Sequence, residues 1–395
     1  MIQLNDETQL FIKENSHKDV TALLLQKHVP SDVDLNFAVT QIDAKRRAKT
    51  KLPTLCANDL FVFPSKLSVE QCSSELTAKY KSHFVSGKNV ADITGGLGVD
   101  AIFMSEKAAG ITYIEQNPEL VETAGYNFSL LKRQNIAIVC DDGIRYLTDY
   151  SGPRFDCVYA DPSRRNDAAG KTVFFTDCIP DVVKYKELIL SKAEMLLIKA
   201  SPMLDISEAI KELGNRVSEI HIVSVKNECK ELLFLCRQEH SSPRFYCVNI
   251  RDEENSEIFD FTPNEESACE LLAANAPGAY LYEPNTSVMK SGAFKLLCRR
   301  FGVSKLHQNS HLYTSDDLCF DFPGRIFEIT DVFRAEKKEF HRRLPAMQAN
   351  ITVRNYPLSV EQLKKKYNLK EGGDIYLFAT TLRNNRKVMI KGRKL

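Results

Sequence analysis

The spacing of apolar positions changes along this chain, and each change marks a different architecture. Up to about residue 84 the pattern is helical. In VEQCSSELTAKYKSHFV, Val69, Cys72, Leu76, Tyr80 and Phe84 recur at three-to-four-residue intervals on one helix face. Ser68, with Gln71 three residues on, predicts the N-cap of that helix. From Gly87, short apolar runs alternate with helical stretches. The runs are NVADIT (89–94), GITYIEQN (110–117), IAIVCDDG (136–143), FDCVYADP (155–162) and AEMLLIKASP (193–202). Repeated strand–helix units of this length predict a parallel sheet covered on both faces. The series closes differently, on EIHIVSVKNECKELLFLCR (219–237). Its two apolar runs flank a polar turn too short for a helix, which predicts a terminal antiparallel hairpin.

After Ser241 the elements are smaller. RFYCVNI and EIFDF predict a strand pair, SACELLAANA (267–276) a helix, and GAYLYEPNTSVMKSGAFKLLCRRFGV a strand–helix unit. From Arg325, RIFEITDVF, ANITVRN, DIYLFATTL and KVMIKGRK read as strands around one basic helix, LSVEQLKKKYNL. The expected fold is α/β: a Rossmann-like sheet of parallel strands ending in an antiparallel hairpin, an N-terminal helical region, and small α+β C-terminal domains. The corresponding boundaries are 1–84, 85–240, 241–324 and 325–395.

Composition narrows the class. At 395 residues the chain is long enough for several cores, and 43% hydrophobic with 27% charged residues is globular usage. No window approaches the roughly 18 apolar residues of a membrane span. The opening stretch MIQLNDETQLFIKEN carries acids where an export signal carries cations. The eleven cysteines are scattered without any CxxC, which predicts reduced thiols of a cytoplasmic protein instead of disulfides or zinc ligands. His307 and His311 have metal-like spacing, but no carboxylate or cysteine joins them, so no metal is expected. Net charge is +1, unevenly spread: residues 325–395 carry 17 Lys and Arg against 7 Asp and Glu. A basic C-terminal module on an acidic body points to a polyanionic partner. A basic run, AKRRAKTK (44–51), precedes the helix over 69–85, and the Lys364–Lys366 run within the basic module adds candidate contacts to phosphate.

Chemistry concentrates at the strand tips. VADITGGLGVDA places Asp92, Thr94, Gly95, Gly96 and Gly98 at the turn from the first strand into a helix. There, residues without Cβ let the backbone approach a ligand. Glu115 ends the second strand, 23 positions after Asp92, where a carboxylate can accept both hydroxyls of a ribose. Asp142 stands at the third tip, within reach of an adenine amine. Gly96-x-Gly98-x-x-Ala101 also fits the dinucleotide GxGxxA pattern. However, Asp92 would repel a pyrophosphate and suits a cationic methionine moiety, and no hydride-transfer dyad follows. At the fourth tip, FDCVYADPSRR ends an apolar run in Asp161 and Pro162, followed by Ser163, Arg164 and Arg165. Lys199 closes the fifth strand at the same rim.

DITGGLGVD, Glu115, Asp142 and ADPSRR, ordered along one sheet that ends in a hairpin, resemble the class I S-adenosylmethionine (SAM)-dependent methyltransferases. The DPSRR signature and the basic C-terminal portion look like the bacterial subfamily with a ferredoxin-like insert and a C-terminal THUMP-like domain. The resemblance implies SAM as cofactor, and Gln71, Ser73 and Ser74 as a polar cap on its methionine end. It implies an acceptor held at Asp161 and Pro162, as in the (D/N)PP(Y/F) tip of nucleic-acid amino-methyltransferases. Ser163 and Arg164 depart from that tip's last two positions, so the base-stacking aromatic is missing. Arginines there can stack on a base or grip a phosphate. The function so implied is methylation of a base nitrogen in RNA, tRNA or rRNA. Alternatives are an RNA-binding protein with an inactive SAM pocket, a small-molecule methyltransferase, or a dinucleotide oxidoreductase. Oligomeric state is not legible.

Overall fold

The computed structural model describes residues 4–26, 28–64, 69–70, 72–164, 174–239 and 242–395, with the backbone alone at Arg164. The chain divides into two units, Met1–Ile220 with Lys230–Ser241, and His221–Cys229 with Ser242–Leu395.

The first unit opens with helices α1 (Asp6–Asn15), α2 (Val20–Leu24), α3 (Leu35–Ala48) and α4 (Pro53–Cys56). Asn5, Asp19 and Asp34 cap the first three by accepting backbone N–H groups at the N-terminus. Phe11, Ile12, Leu23, Ala38, Val39 and Ile42 form their common core. Helix α5 runs Glu75–Ser82, and Ser74 is its N-cap, accepting from Thr77 N at 3.3 Å. The helical pattern predicted over 69–85 is thus interrupted: Val69 and Glu70 are helical, and the helix restarts only after Ser74. The chain breaks its helix at Cys72–Ser74 because the Ser73 hydroxyl turns to Asp100, 2.8 Å away. Ser68 and Gln71 lie outside the described residues.

The sheet of this unit is built from β1 (Asn89–Asp92), β2 (Gly110–Glu115), β3 (Ile136–Cys140), β4 (Phe155–Ala160) and β7 (Ala193–Ala200), while the short β5 (Ser163–Arg164) and β6 (Cys178–Ile179) pair apart from it as a two-stranded ribbon. Strands β8 (Val217–Val225) and β9 (Glu228–Cys236) follow, joined by Lys226-Asn227, both at positive φ as a tight hairpin turn requires. The pairings β3–β2, β2–β1, β1–β4 and β4–β7 are all parallel, and β9 lies antiparallel on β7. Strands β1, β4 and β7 are almost wholly buried, as expected of a sheet covered on both faces. Helices α6 (Val99–Met104), α7 (Pro118–Leu130), α8 (Gly143–Asp149), α9 (Val182–Lys192) and α10 (Ile206–Leu213) make the crossovers. Strand order reverses at β1, between β2 and β4, and such a switch point opens a crevice at the carboxyl ends of the strands.

The second unit holds the antiparallel pair β10 (Arg244–Ile250) and β11 (Ser256–Phe261). It also holds a seven-stranded sheet of β12 (Tyr280–Pro284), β13 (Ser304–Lys305), β14 (Tyr313–Ser315), β15 (Gly324–Phe333), β16 (Asn350–Arg354), β17 (Ile375–Thr381) and β18 (Lys387–Lys394), in the order 13-14-12-15-18-17-16. The basic helix Val360–Tyr367, with a capping box on Ser359, connects the parallel pair β16–β17. One prediction fails here. SACELLAANA is not a helix: a capping box on Thr262 starts a short helix at Pro263–Ser267, which ends at Ala268. Leu272 and Ala274 then exchange backbone hydrogen bonds with Lys305. Tertiary pairing has overridden local propensity. The helix Lys337–Arg343 had not been anticipated.

Candidate active site

Turn geometry at the first strand tip explains the glycines. Gly96 and Gly98 have φ of +55° and +80°, which L side chains rarely adopt. A Cβ on Gly95 would fall 2.3 Å from the Tyr113 ring, and one on Gly98 would fall 2.8 Å from Phe128. A Cβ on Gly96 would meet nothing closer than Thr94 O at 3.8 Å, so that backbone faces open space. This space is a cavity of about 710 Å³, lined by residues 92–100, Glu115, Asp141, Asp142, Asp161–Ser163, Ile179, Pro180 and Lys199 among others. Its size suits a cofactor with part of an acceptor, since ligand pockets run about 300–1,000 Å³.

Asp92, Thr94, Glu115, Asp142, Asp161 and Lys199 of the predicted site line that cavity with definite partners. Glu115 accepts from Gly96 N and from Asn117 N, both at 2.8 Å, which fixes the glycine turn against the second strand tip. Asp142 caps α8, accepting from Ile144 N and Arg145 N at 3.0 and 2.9 Å, while still lining the cavity. Thr94 joins two tips: its N–H donates to Asp92 Oδ1 at 3.1 Å, and its hydroxyl accepts from Asp161 N at 2.7 Å. Lys199, undecided from sequence, donates to Asp161 Oδ2 at 2.5 Å. Burial alone would lower its pKa, but Asp161, then Asp100 and Glu231, hold it above the ordinary lysine value. Of the expected polar cap, Ser73 lines the cavity beside Cys72, whereas Ser74 caps α5 and does not line it. Arg165 is outside the described residues, and Arg164 is placed only as β5 backbone.

Beneath the cavity lies a buried ionic network that no motif had singled out. Lys81, fully buried, sits 3.2 Å from Asp100 Oδ1 and 2.6 Å from Glu231 Oε1. Asp100 Oδ2 accepts from the Ser73 hydroxyl at 2.8 Å and the Tyr159 hydroxyl at 2.7 Å. Burial opposes ionisation of Asp100, yet Lys81 and then Lys199 keep it below the usual carboxylate range. Asp92 stands apart. It is 1% exposed, and burial pushes it up to about 8, against the hydrogen bond from Thr94. With Asp100 and Glu231 served by Lys81 and Asp161 by Lys199, Asp92 is the carboxyl that a bound cation would ionise. The sulfonium and ammonium groups of SAM supply such a charge, Glu115 suits its ribose, and the glycine turn leaves room for its body. The residues present fit that cofactor.

His307 and His311 have other neighbours in the structure. His307 Nδ1 lies 3.0 Å from Asn355 Nδ2, the His311 ring packs on Phe294 with centroids 3.9 Å apart, and burial pushes His311 down to about 4. Among the described residues no cluster of metal-ligating side chains occurs. All eleven cysteines are free thiols. Among the described residues no helix is long and apolar enough to cross a membrane.

A sheet of order 3-2-1-4-7 with an antiparallel closing strand, a glycine turn after β1, an acid ending β2 and Asp-Pro at the tip of β4 define a class I methyltransferase. Comparison with known proteins agrees. A ferredoxin-like domain model matches residues 280–323, and a THUMP domain-like model matches residues 324–394. A solved protein of Porphyromonas gingivalis W83, described as a methyltransferase, superposes with a TM-score of 0.89 at 32% identity, covering 98% of this chain and 97% of that one. An uncharacterized SAM-dependent methyltransferase of Mycobacterium tuberculosis is 21% identical over 332 residues, 82% of this chain and 87% of the relative. An uncharacterized RNA methyltransferase of Mycoplasma mobile is 33% identical over 85 residues, 21% of this chain. That match spans only 23% of the Mycoplasma protein. The chain belongs to the family of the Porphyromonas protein: class I SAM-dependent methyltransferases with ferredoxin-like and THUMP-like C-terminal domains.

Proposed function

We propose that this protein methylates a base nitrogen of RNA, tRNA or rRNA, in the cytoplasm. The observation that carries the reading is Asp161-Pro162 at the tip of β4, lining the same cavity as the glycine turn and Glu115. In that place a carboxylate and a proline carbonyl can accept hydrogen bonds from an amino or imino nitrogen and aim its lone pair at the donor. SAM supplies an activated methyl group when bound. The chain's own task is then to align, to exclude water and to accept a hydrogen bond. Asp92 would face the methionine portion, Glu115 the ribose and Asp142 the adenine. Asp161 would orient the acceptor nitrogen and stabilise the positive charge that develops on it.

RNA is favoured as acceptor by three supports: the excess of cations over residues 325–395, the THUMP-like match to the same segment, and the Mycoplasma relative named an RNA methyltransferase. The free thiols agree with a reducing compartment. Arg164 and Arg165, next along the chain, are proposed to bind the flanking phosphate or base. The test is nucleoside mass spectrometry of RNA from cells with and without the gene. It is followed by transfer of a labelled methyl group from SAM to the RNA of the deletion strain by the purified protein. One methylated nucleoside lost on deletion and restored in vitro is the expected result. Identical nucleoside profiles would refute the reading.

A further inference from the structure

The tip after Asp161 lacks the aromatic residue on which an acceptor base would stack, and the structure offers another surface in its place. Ser163 and Ile179 are directly paired in the antiparallel ribbon β5–β6. Directly opposed residues of such a pair share one face. Both line the cavity, together with their neighbours Pro162 and Pro180. Ile179 is 50% exposed, while Cys178 beside it is 5% exposed. The aliphatic residues Ile93, Leu97, Val99 and Ile114 of the same lining are buried, whereas half of Ile179 is open, and apolar surface gains from being covered. Among the described residues lining the cavity, Tyr159 is the only aromatic one. It is 1% exposed with its hydroxyl on Asp100, so it cannot swing out to stack.

We propose that Ile179, framed by Pro162 and Pro180, is the platform on which the acceptor base lies. The inference rests on the reading of the acceptor as an RNA base, and it adds where the ring sits and what holds it. An aliphatic wall presents C–H groups to the face of a planar ring and makes no demand on its hydrogen-bonding edge. It therefore supplies affinity and orientation, while Asp161 on the adjoining side meets the nitrogen. Ser163, small and on the same face, leaves the ring space to slide in beside Ile179. The ligand class is a flat heteroaromatic ring bearing a nitrogen at its edge.

The test compares Ile179→Ser and Ile179→Phe with the native protein. Single-turnover methylation of RNA from the deletion strain gives the rate and its RNA dependence, and calorimetry with S-adenosylhomocysteine reads the cofactor pocket. Because Ile179 is half exposed, neither change disturbs a core. For Ile179→Ser the RNA concentration giving half-maximal rate should rise by about tenfold, with the maximal rate falling far less. Ile179→Phe should restore RNA affinity or exceed it, since a ring stacks where the isoleucine covered. Product-analogue affinity should stay constant in both. Unaltered RNA dependence in Ile179→Ser would overturn the platform, as would a loss confined to cofactor affinity. A native protein that transfers no methyl to RNA would instead overturn the proposed acceptor, and the platform with it.

Discussion

Replacing Lys199 by methionine keeps most of the side chain's length and removes the ammonium 2.5 Å from Asp161 Oδ2. Hydrogen bonds between charged partners contribute about 1.5–3 kcal/mol. Lys199 is 11% exposed but Asp161 is 35% exposed, so water screens the acid's side of the pair and the lower part of that range applies. A loss of about 1.5–2 kcal/mol, if expressed in the transition state, slows transfer about ten- to thirtyfold. Asp161→Asn removes the charge that meets the developing cation and should cost about a hundredfold or more. The two effects should not add. If Lys199 is a positioning residue that works only by fixing Asp161, the double variant should be about as slow as Asp161→Asn alone, with a coupling of about 1.5–2 kcal/mol. Single-turnover transfer to deletion-strain RNA measures all four proteins, and calorimetry with S-adenosylhomocysteine shows that each retains the cofactor pocket. Lys199→Arg, which keeps the charge, should lie between native and methionine variants. A double variant slower than Asp161→Asn by the whole Lys199→Met factor would show that Lys199 acts independently, and the argument would fall.

Glu115 holds the glycine turn through Gly96 N and is proposed to accept ribose hydroxyls, so Glu115→Ala should weaken SAM binding by about 2–4 kcal/mol; unchanged affinity in a folded variant would refute the assignment. Asp92, pushed up from 3.8 to about 8, keeps its proton near neutrality, and a cation beside it favours the ionised form. Cofactor binding near pH 7 should therefore release close to one proton, and affinity should rise with pH until about 8. Calorimetry in buffers of different ionisation enthalpy reads this release, and Asp92→Asn should abolish it. In the free protein the same shift runs the other way. The folded state holds this proton more tightly than the unfolded chain, so its contribution to stability is full below about pH 4 and lost by about pH 8. Lys365 and Lys366 are exposed on the basic helix, and their double alanine variant should lower the slope of log affinity against log salt by up to about 2, with SAM binding intact. An unchanged slope would mark them as ordinary solvated cations.

What the sequence showed plainly was whatever depends on local order. Strands end at acids and glycines because the ligand side of the sheet lies at their carboxyl ends, so Asp92, Glu115, Asp142 and Asp161 could be read one by one. The hairpin was legible because Lys226-Asn227 leaves no length for a crossover. The break before α5 was not legible, because the apolar spacing runs on through Cys72–Ser74, and the Ser73 hydroxyl turns to Asp100, 27 positions further along the chain. Lys81 illustrates a deeper limit. On a helix that also carries Lys79 it reads as a solvated charge, and its partner Glu231 lies 150 positions away. Nothing local distinguishes a lysine that will be wholly buried from one that will not.

That hidden network bears on the chemistry. Breaking a buried ion cluster by deleting one partner typically costs about 3–5 kcal/mol, so Lys81 holds Asp100 and Glu231 in place as much as it neutralises them. Asp100 in turn fixes Tyr159, one residue from the end of β4, and lends Lys199 part of the field that keeps it charged. The β4 tip is thereby held from below by Tyr159, from the side by Thr94, and at the carboxylate by Lys199. Asp161 Oδ2 is already engaged by the Lys199 ammonium at 2.5 Å, so the carboxylate is set to orient an acceptor by accepting a hydrogen bond. An acceptor at Asp161 should therefore attack as a neutral nitrogen and lose its proton only after the methyl has arrived. An exocyclic amine or an unprotonated ring nitrogen meets that condition, whereas a nucleophile that must first be deprotonated does not.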